Sequence, residues 1–166
     1  LETGPQRAHL GPMNLLEHFV MQHVQVSLIR GELLNVKREA GTHEAKVELN
    51  LTPRLMNADS GDALPAYQVS ARLSCQGGAE ESKGPEVLAR VKYEVIYQQI
   101  DGDPIDMTEF TANHASLTRQ LYPLLQQEMR SLLVRMGLEQ VHLPFDLAAR
   151  VEESDSQTVQ VSGALH

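Results

Sequence analysis

Four stretches of the chain alternate apolar and polar side chains, and one long stretch then changes to a helical repeat. Residues 13–21 place Leu15, Leu16, Phe19 and Val20 on one helical face and predict a short lead-in helix. Val24, Val26 and Leu28 then alternate with Gln25, Ser27 and Ile29 and continue through Gly31 to Val36. This is the pattern of a long first strand with a bulge near Gly31. Ala45, Val47, Leu49 and Leu51 alternate with Lys46, Glu48, Asn50 and Thr52, a half-buried second strand that Pro53 ends. Turn residues fill 57–65. The third strand follows, with Tyr67, Val69, Ala71, Leu73 and Cys75 on one parity, and after Gly77-Gly78 a fourth, with Val87, Ala89, Val91, Tyr93, Val95 and Tyr97. Consecutive strands with clean alternation predict an antiparallel sheet covered on one face. Its other face carries Lys46, Glu48, Asn50, Gln68, Ser70, Arg72, Lys92 and Glu94 and is polar.

Beyond Asp101-Gly102-Asp103-Pro104 the period becomes helical. Residues 116–136 hold Leu117, Leu121, Leu124, Leu125, Met129, Leu132, Leu133 and Met136, and Gly137 is a helix stop. Pro123 cannot donate to the carbonyl of Arg119, so a start or a kink is expected there. The apolar residues span close to half of the helix circumference, whereas a helix lying on a sheet needs a stripe of about 100°. The surplus predicts a second apolar partner, either the following crossover or another subunit. Glu128 and Arg135 fall inside the arc. Residues 137–143 alternate again, and Pro144 precedes a short apolar segment, Phe145, Leu147, Ala148 and Ala149, read as a second helix. The expected fold is therefore α+β: a four-stranded antiparallel sheet with one face covered by a long C-terminal helix and a short second helix. Residues 1–12 read as an unstructured tail or a processing remnant, 13–150 as one domain, and 151–166 as a flexible acidic tail.

Charge and composition narrow the function. With 14 Lys and Arg against 22 Asp and Glu in 166 residues, the formal charge is −8, and aromatics make up only 4% with no Trp. Nucleic-acid binding, which needs basic grooves and stacking platforms, is not expected. One cysteine excludes an internal disulfide and suits a reducing cytosol. No apolar run approaches the ~20 residues of a membrane span. The seven His residues are scattered, and Asp101, Asp103 and Asp106 begin like a calcium loop without its closing Glu. Phosphate-binding glycine motifs, a nucleophile elbow and a metal-binding His pair are all missing. No catalytic residue, metal or cofactor is expected.

The final third carries a family resemblance. Arg119-Gln-Leu-Tyr-Pro123-Leu-Leu, running on to Ser131-Leu-Leu-Val-Arg-Met-Gly137, resembles the main helix of SecB, the tetrameric export chaperone of bacteria. Glu139-Gln-Val-His-Leu-Pro-Phe-Asp-Leu147 is similar to that family's proline-containing crossover. Lys46-Val-Glu-Leu-Asn-Leu and Tyr67-Gln-Val-Ser-Ala-Arg-Leu resemble its second and third strands. The resemblance implies a cytoplasmic, ATP-independent holdase that binds unfolded or precursor proteins in long apolar grooves, assembles as a dimer of dimers and serves protein export. Implied client-binding positions are Leu49, Leu51, Leu133, Leu138, Val141, Leu143, Phe145 and Leu147. Leu121, Leu125, Met129 and Leu132 are implied for sheet packing and the oligomer interface. The fourth strand lacks the Gly-rich, aromatic pattern of the classical protein, and the C-terminal tail has no Cys. Handover to the SecA motor is therefore in question, and a dedicated partner such as an antitoxin is the alternative. A small-ligand or thioesterase-like α+β protein is the second alternative.

Overall fold

The computed structural model describes residues 14–34, 44–56, 63–78 and 86–152. A 3-10 turn, Leu15–Glu17, leads into strand β1, Phe19–Leu33. Strands β2, Glu44–Leu55, β3, Ala66–Gly78, and β4, Val87–Gln99, follow. Then come helices α1, Met107–Ala112, and α2, His114–Arg135, and finally strand β5, Ala149–Val151. The five strands form one sheet in the order β1-β4-β3-β2-β5. Every pairing is antiparallel except β2 with β5, which is parallel. The sheet is thus five-stranded and mixed, not four-stranded and antiparallel. The expected second helix is replaced by β5. The tail expected at 1–12 lies outside the described residues, as does the one expected at 151–166 except for its first two residues: Val151 ends β5, and Glu152 N–H donates to the Leu51 carbonyl at 2.9 Å.

Alternation does what the sequence asks of it. On β3 and β4, Val69, Ala71, Leu73, Ala89, Val91 and Val95 are fully buried, while their immediate neighbours are half-buried, apart from the buried Ser74 and Leu88. Over this face lies one row of α2, Leu117, Leu121, Leu125, Met129 and Leu133. These sit four residues apart, so they stack as a single ridge. Helix α2 runs through Pro123 as one element, with that residue on the exposed side. It ends as expected: Gly137 takes φ 72°, Leu138 N–H donates to the Leu133 carbonyl at 2.8 Å, and Gly137 N–H donates to Val134 at 2.9 Å. Those two bonds define a Schellman cap, and the buried Leu133 and Leu138 close its apolar contact.

Three local expectations move. Strand β2 is not ended by Pro53, which stands opposite Val69, but runs on to Leu55. The lead-in helix gives way to strand, because Phe19 and Met21 pair across to Gln99 and Tyr97 at the rim of the sheet. The bulge sits around His23, at φ 51°, with register shifts between Gln22 and Gln25 and between Val26 and Leu28. Gly31 serves a different purpose. A Cβ there would lie 2.7 Å from Met136 Sδ and 3.1 Å from Leu132 Cδ1, so the end of α2 rests on bare backbone.

The acidic turn after β4 is structural. Gln99, nearly fully buried, donates to the carbonyls of Asp101 and Asp103 and accepts from Ile105 N–H. Asp101 meets His18 at 2.6 Å, and Asp106 caps α1 by accepting from Glu109 N–H at 2.8 Å. Beneath it, Phe110 stacks on Tyr67 with ring centroids 4.2 Å apart and packs edge-on to Phe19.

Candidate client-binding surface

Helix α2 covers β3 and β4 but not the whole sheet, and the chain leaves apolar surface exposed on both sides of it. On the β1 side, Val26, Ile29 and Leu33 stand opposite Tyr93, Val91 and Val87, so they face the helix layer. All three are nonetheless exposed, Ile29 by 54%. Leu124 and Leu132 of α2 border them and are half-buried. The surplus of the helical arc is accounted for here: these two leucines lie to one side of the buried ridge. Glu128, within the same arc, accepts from the Tyr93 hydroxyl at 3.2 Å. Burial and that carboxylate hold the Tyr93 phenol at a pKa of about 12. Beyond this tract β1 is an edge: among the described residues it pairs only with β4.

On the other side the crossover, residues 136–148, leaves the helix cap and reaches the β2 edge, where β5 docks. Val141, Leu143 and Leu147 pack half-buried against the core. Between them, Phe145 points away and is 91% exposed. Its position is fixed from the helix, because the Tyr122 hydroxyl donates to the Pro144 carbonyl. Burial raises the Tyr122 pKa, and Asp146 adds to this while Arg130 opposes it. Phe145 is thus an exposed aromatic on a segment that a buried Tyr of α2 ties to the helix.

No family model and no curated protein matches the sequence. Solved structures do. One is the SecB-like chaperone of Mycobacterium tuberculosis in complex with a ChAD peptide from the HigA1 antitoxin. It is 17% identical, covers 78% of this chain and 92% of its own, and superposes with a TM-score of 0.60. The fold is SecB-like. A protein of unknown function from Streptococcus agalactiae also aligns, 14% identical over 78% of this chain and 97% of its own, with a TM-score of 0.41.

Within this SecB-like fold the residues expected to line grooves divide by burial. Leu49 and Leu51 of β2 are core, each 1% exposed, because β5 seals the β2 edge and the helix layer covers their face. Leu133 and Leu138 are buried in the helix cap. None of the four is open to a client in this conformation. Val141, Leu143 and Leu147 offer partial surface, and Phe145 stands clear. Of the positions expected at an oligomer contact, Leu121, Leu125 and Met129 are fully buried against the chain's own sheet, and only Leu132 reaches the surface. The sequence does not reveal the exposed β1 tract, because the register shift between Val26 and Leu28 turns Ile29 from the polar parity to the helix side and Leu28 outward. Sequence alternation reports which side a residue faces, not how far a helix extends over it. Cys75 is buried, and burial raises its thiol pKa, which disfavours the thiolate. Among the described residues no group of His, Cys, Asp and Glu is arranged to hold a metal ion, and no helix is long and apolar enough to cross a membrane.

Proposed function

We propose that the protein is an ATP-independent chaperone of the holdase kind, acting by binding without catalysis on unfolded or precursor polypeptides in the cytoplasm. The observation that carries this reading is Phe145, exposed on a crossover whose conformation the Tyr122 hydroxyl fixes. Flanked by Leu143 and Leu147, it forms a small apolar contact that an extended chain could engage repeatedly along its length, so that many weak contacts add up. The β1 tract is assigned to a second copy of the chain, and further association would give a homotetramer. The decisive assay is light scattering from an aggregating, chemically unfolded client without nucleotide. The wild type suppresses scattering and Phe145→Asp does not, with unchanged circular dichroism. Unaltered suppression by the variant sinks the assignment.

A second reading is service to one dedicated partner, and the antitoxin peptide held by the M. tuberculosis SecB-like chaperone favours it. It expects tight binding to one short peptide and indifference to generic unfolded chains. A link to export through the SecA motor expects a stable complex of the two proteins in sedimentation.

A further inference from the structure

The outer face of the sheet carries cations that the chain leaves without counter-charges. Arg30 of β1 stands directly opposite Arg90 of β4, and Lys92 of β4 stands opposite Arg72 of β3. Like charges paired across strands destabilise a sheet, yet this sheet does it twice in adjoining rows. Asn50 of β2 lies between Arg72 and Arg150 of β5 on the same face. The nearby carboxylates are otherwise engaged. Glu32 pairs with Arg30 at 2.8 Å, and Glu48 lies 3.1 Å from Lys46, although its Oε1 accepts no hydrogen bond. Glu94 pairs with Lys92 at 3.3 Å and accepts from Ser70 and Gln68. Among the described residues Arg72, Arg90 and Arg150 therefore have no carboxylate of their own. The Nε donors of Arg72 and Arg90 lack an acceptor, as does the Nδ2 donor of Asn50, a side chain only 4% exposed. Burial and the charges of Arg72 and Arg30 lower the pKa of Arg90. A chain with net charge −8 has thus concentrated unpaired cations and unsatisfied donors at the centre of one face.

We propose that this face binds an acidic polypeptide segment whose carboxylates complete the hydrogen bonding of Arg72, Arg90, Arg150 and Asn50. Guanidinium groups suit this, because they take carboxylates in paired, charge-assisted bonds. A protein is favoured over nucleic acid because the polar side chains between the cations offer no aromatic platform for bases. This surface lies across the sheet from Phe145, so it is separate from the client contact and does not depend on it.

The test is fluorescence anisotropy of labelled poly-L-glutamate with the full chain. Binding is expected at low salt and should weaken steeply as salt rises. The Arg72→Gln/Arg90→Gln variant should lose about tenfold or more in affinity. Arg150→Gln, at an exposed edge position where folding is not at risk, should lose about threefold. Phe145→Asp should bind poly-L-glutamate as the wild type does, which separates this surface from the holdase reading. Absence of binding, equal binding by both arginine variants, or stronger binding of a single-stranded oligonucleotide of the same charge would overturn the proposal.

Discussion

Phe145 illustrates how little one side chain needs to reveal itself in sequence. Its neighbours Leu143 and Leu147 carry the same apolar character and are partly sunk into the core, while Phe145 is not. Removing the Tyr122 hydroxyl should loosen the display without unfolding the chain. Tyr122→Phe is expected to cost about 1 kcal/mol, the worth of one hydrogen bond, and to speed amide exchange across the crossover. Gly31 makes the opposite kind of point. A methyl group there meets the Met136 sulfur, so Gly31→Ala should destabilise by about 1–3 kcal/mol in chemical denaturation. Shortening the obstruction with Met136→Ala should recover part of the loss, and failure of that rescue would show that the contact is not the cause. Neither effect is readable from sequence, because one depends on where the crossover passes α2 and the other on where α2 ends relative to β1.

At the scale of elements, the β1 edge makes a prediction about assembly. Ile29→Lys puts a charge into the exposed tract beside an unpaired strand edge, the device by which edges are kept from pairing. Analytical ultracentrifugation should then find a smaller species than the wild type at equal concentration, and an unchanged mass removes β1 as the contact. Strands β2, β3 and β4 and helix α2 are legible because each repeats its period over at least four pairs or about six turns. Helix α1 was not, being only six residues long, though Asp106 and Glu109 at cap spacing are a signal that could have found it. Strand β5 was illegible for another reason: three residues, Ala149–Val151, show no alternation to read. It exists because β2 offers an unpaired edge, a tertiary fact. The candidate site follows the same rule. The resemblance to SecB pointed to the crossover, while the choice between exposed and buried positions within it required the packing.

The whole molecule has an alkaline limit set by its tyrosines. Burial, aided by the charges of Asp106 and Glu109, raises Tyr67 to a pKa of about 12, matching Tyr93. An unfolded chain surrenders these protons near pH 10, whereas the folded one holds them to about 12. The associated stability is complete below pH 10 and is lost as pH rises from 10 to 12. Denaturant midpoints measured across that interval should fall, and Tyr93→Phe should flatten the decline. The parallel pairing of Leu49 with Ala149 has a consequence for how the molecule comes into being. Every other ladder joins strands through a hairpin or the single return of β1 to β4, but this one must wait for α1, α2 and the crossover. It closes late, with high contact order, and should be the first pairing to open in native-state hydrogen exchange. Phe145 lies inside the loop that it closes. A nascent copy therefore passes through a stage in which Leu49 and Leu51 lie open along an unsealed strand edge while its own contact residue is not yet in place. On the proposed holdase reading, a finished copy would bind the chain at that stage.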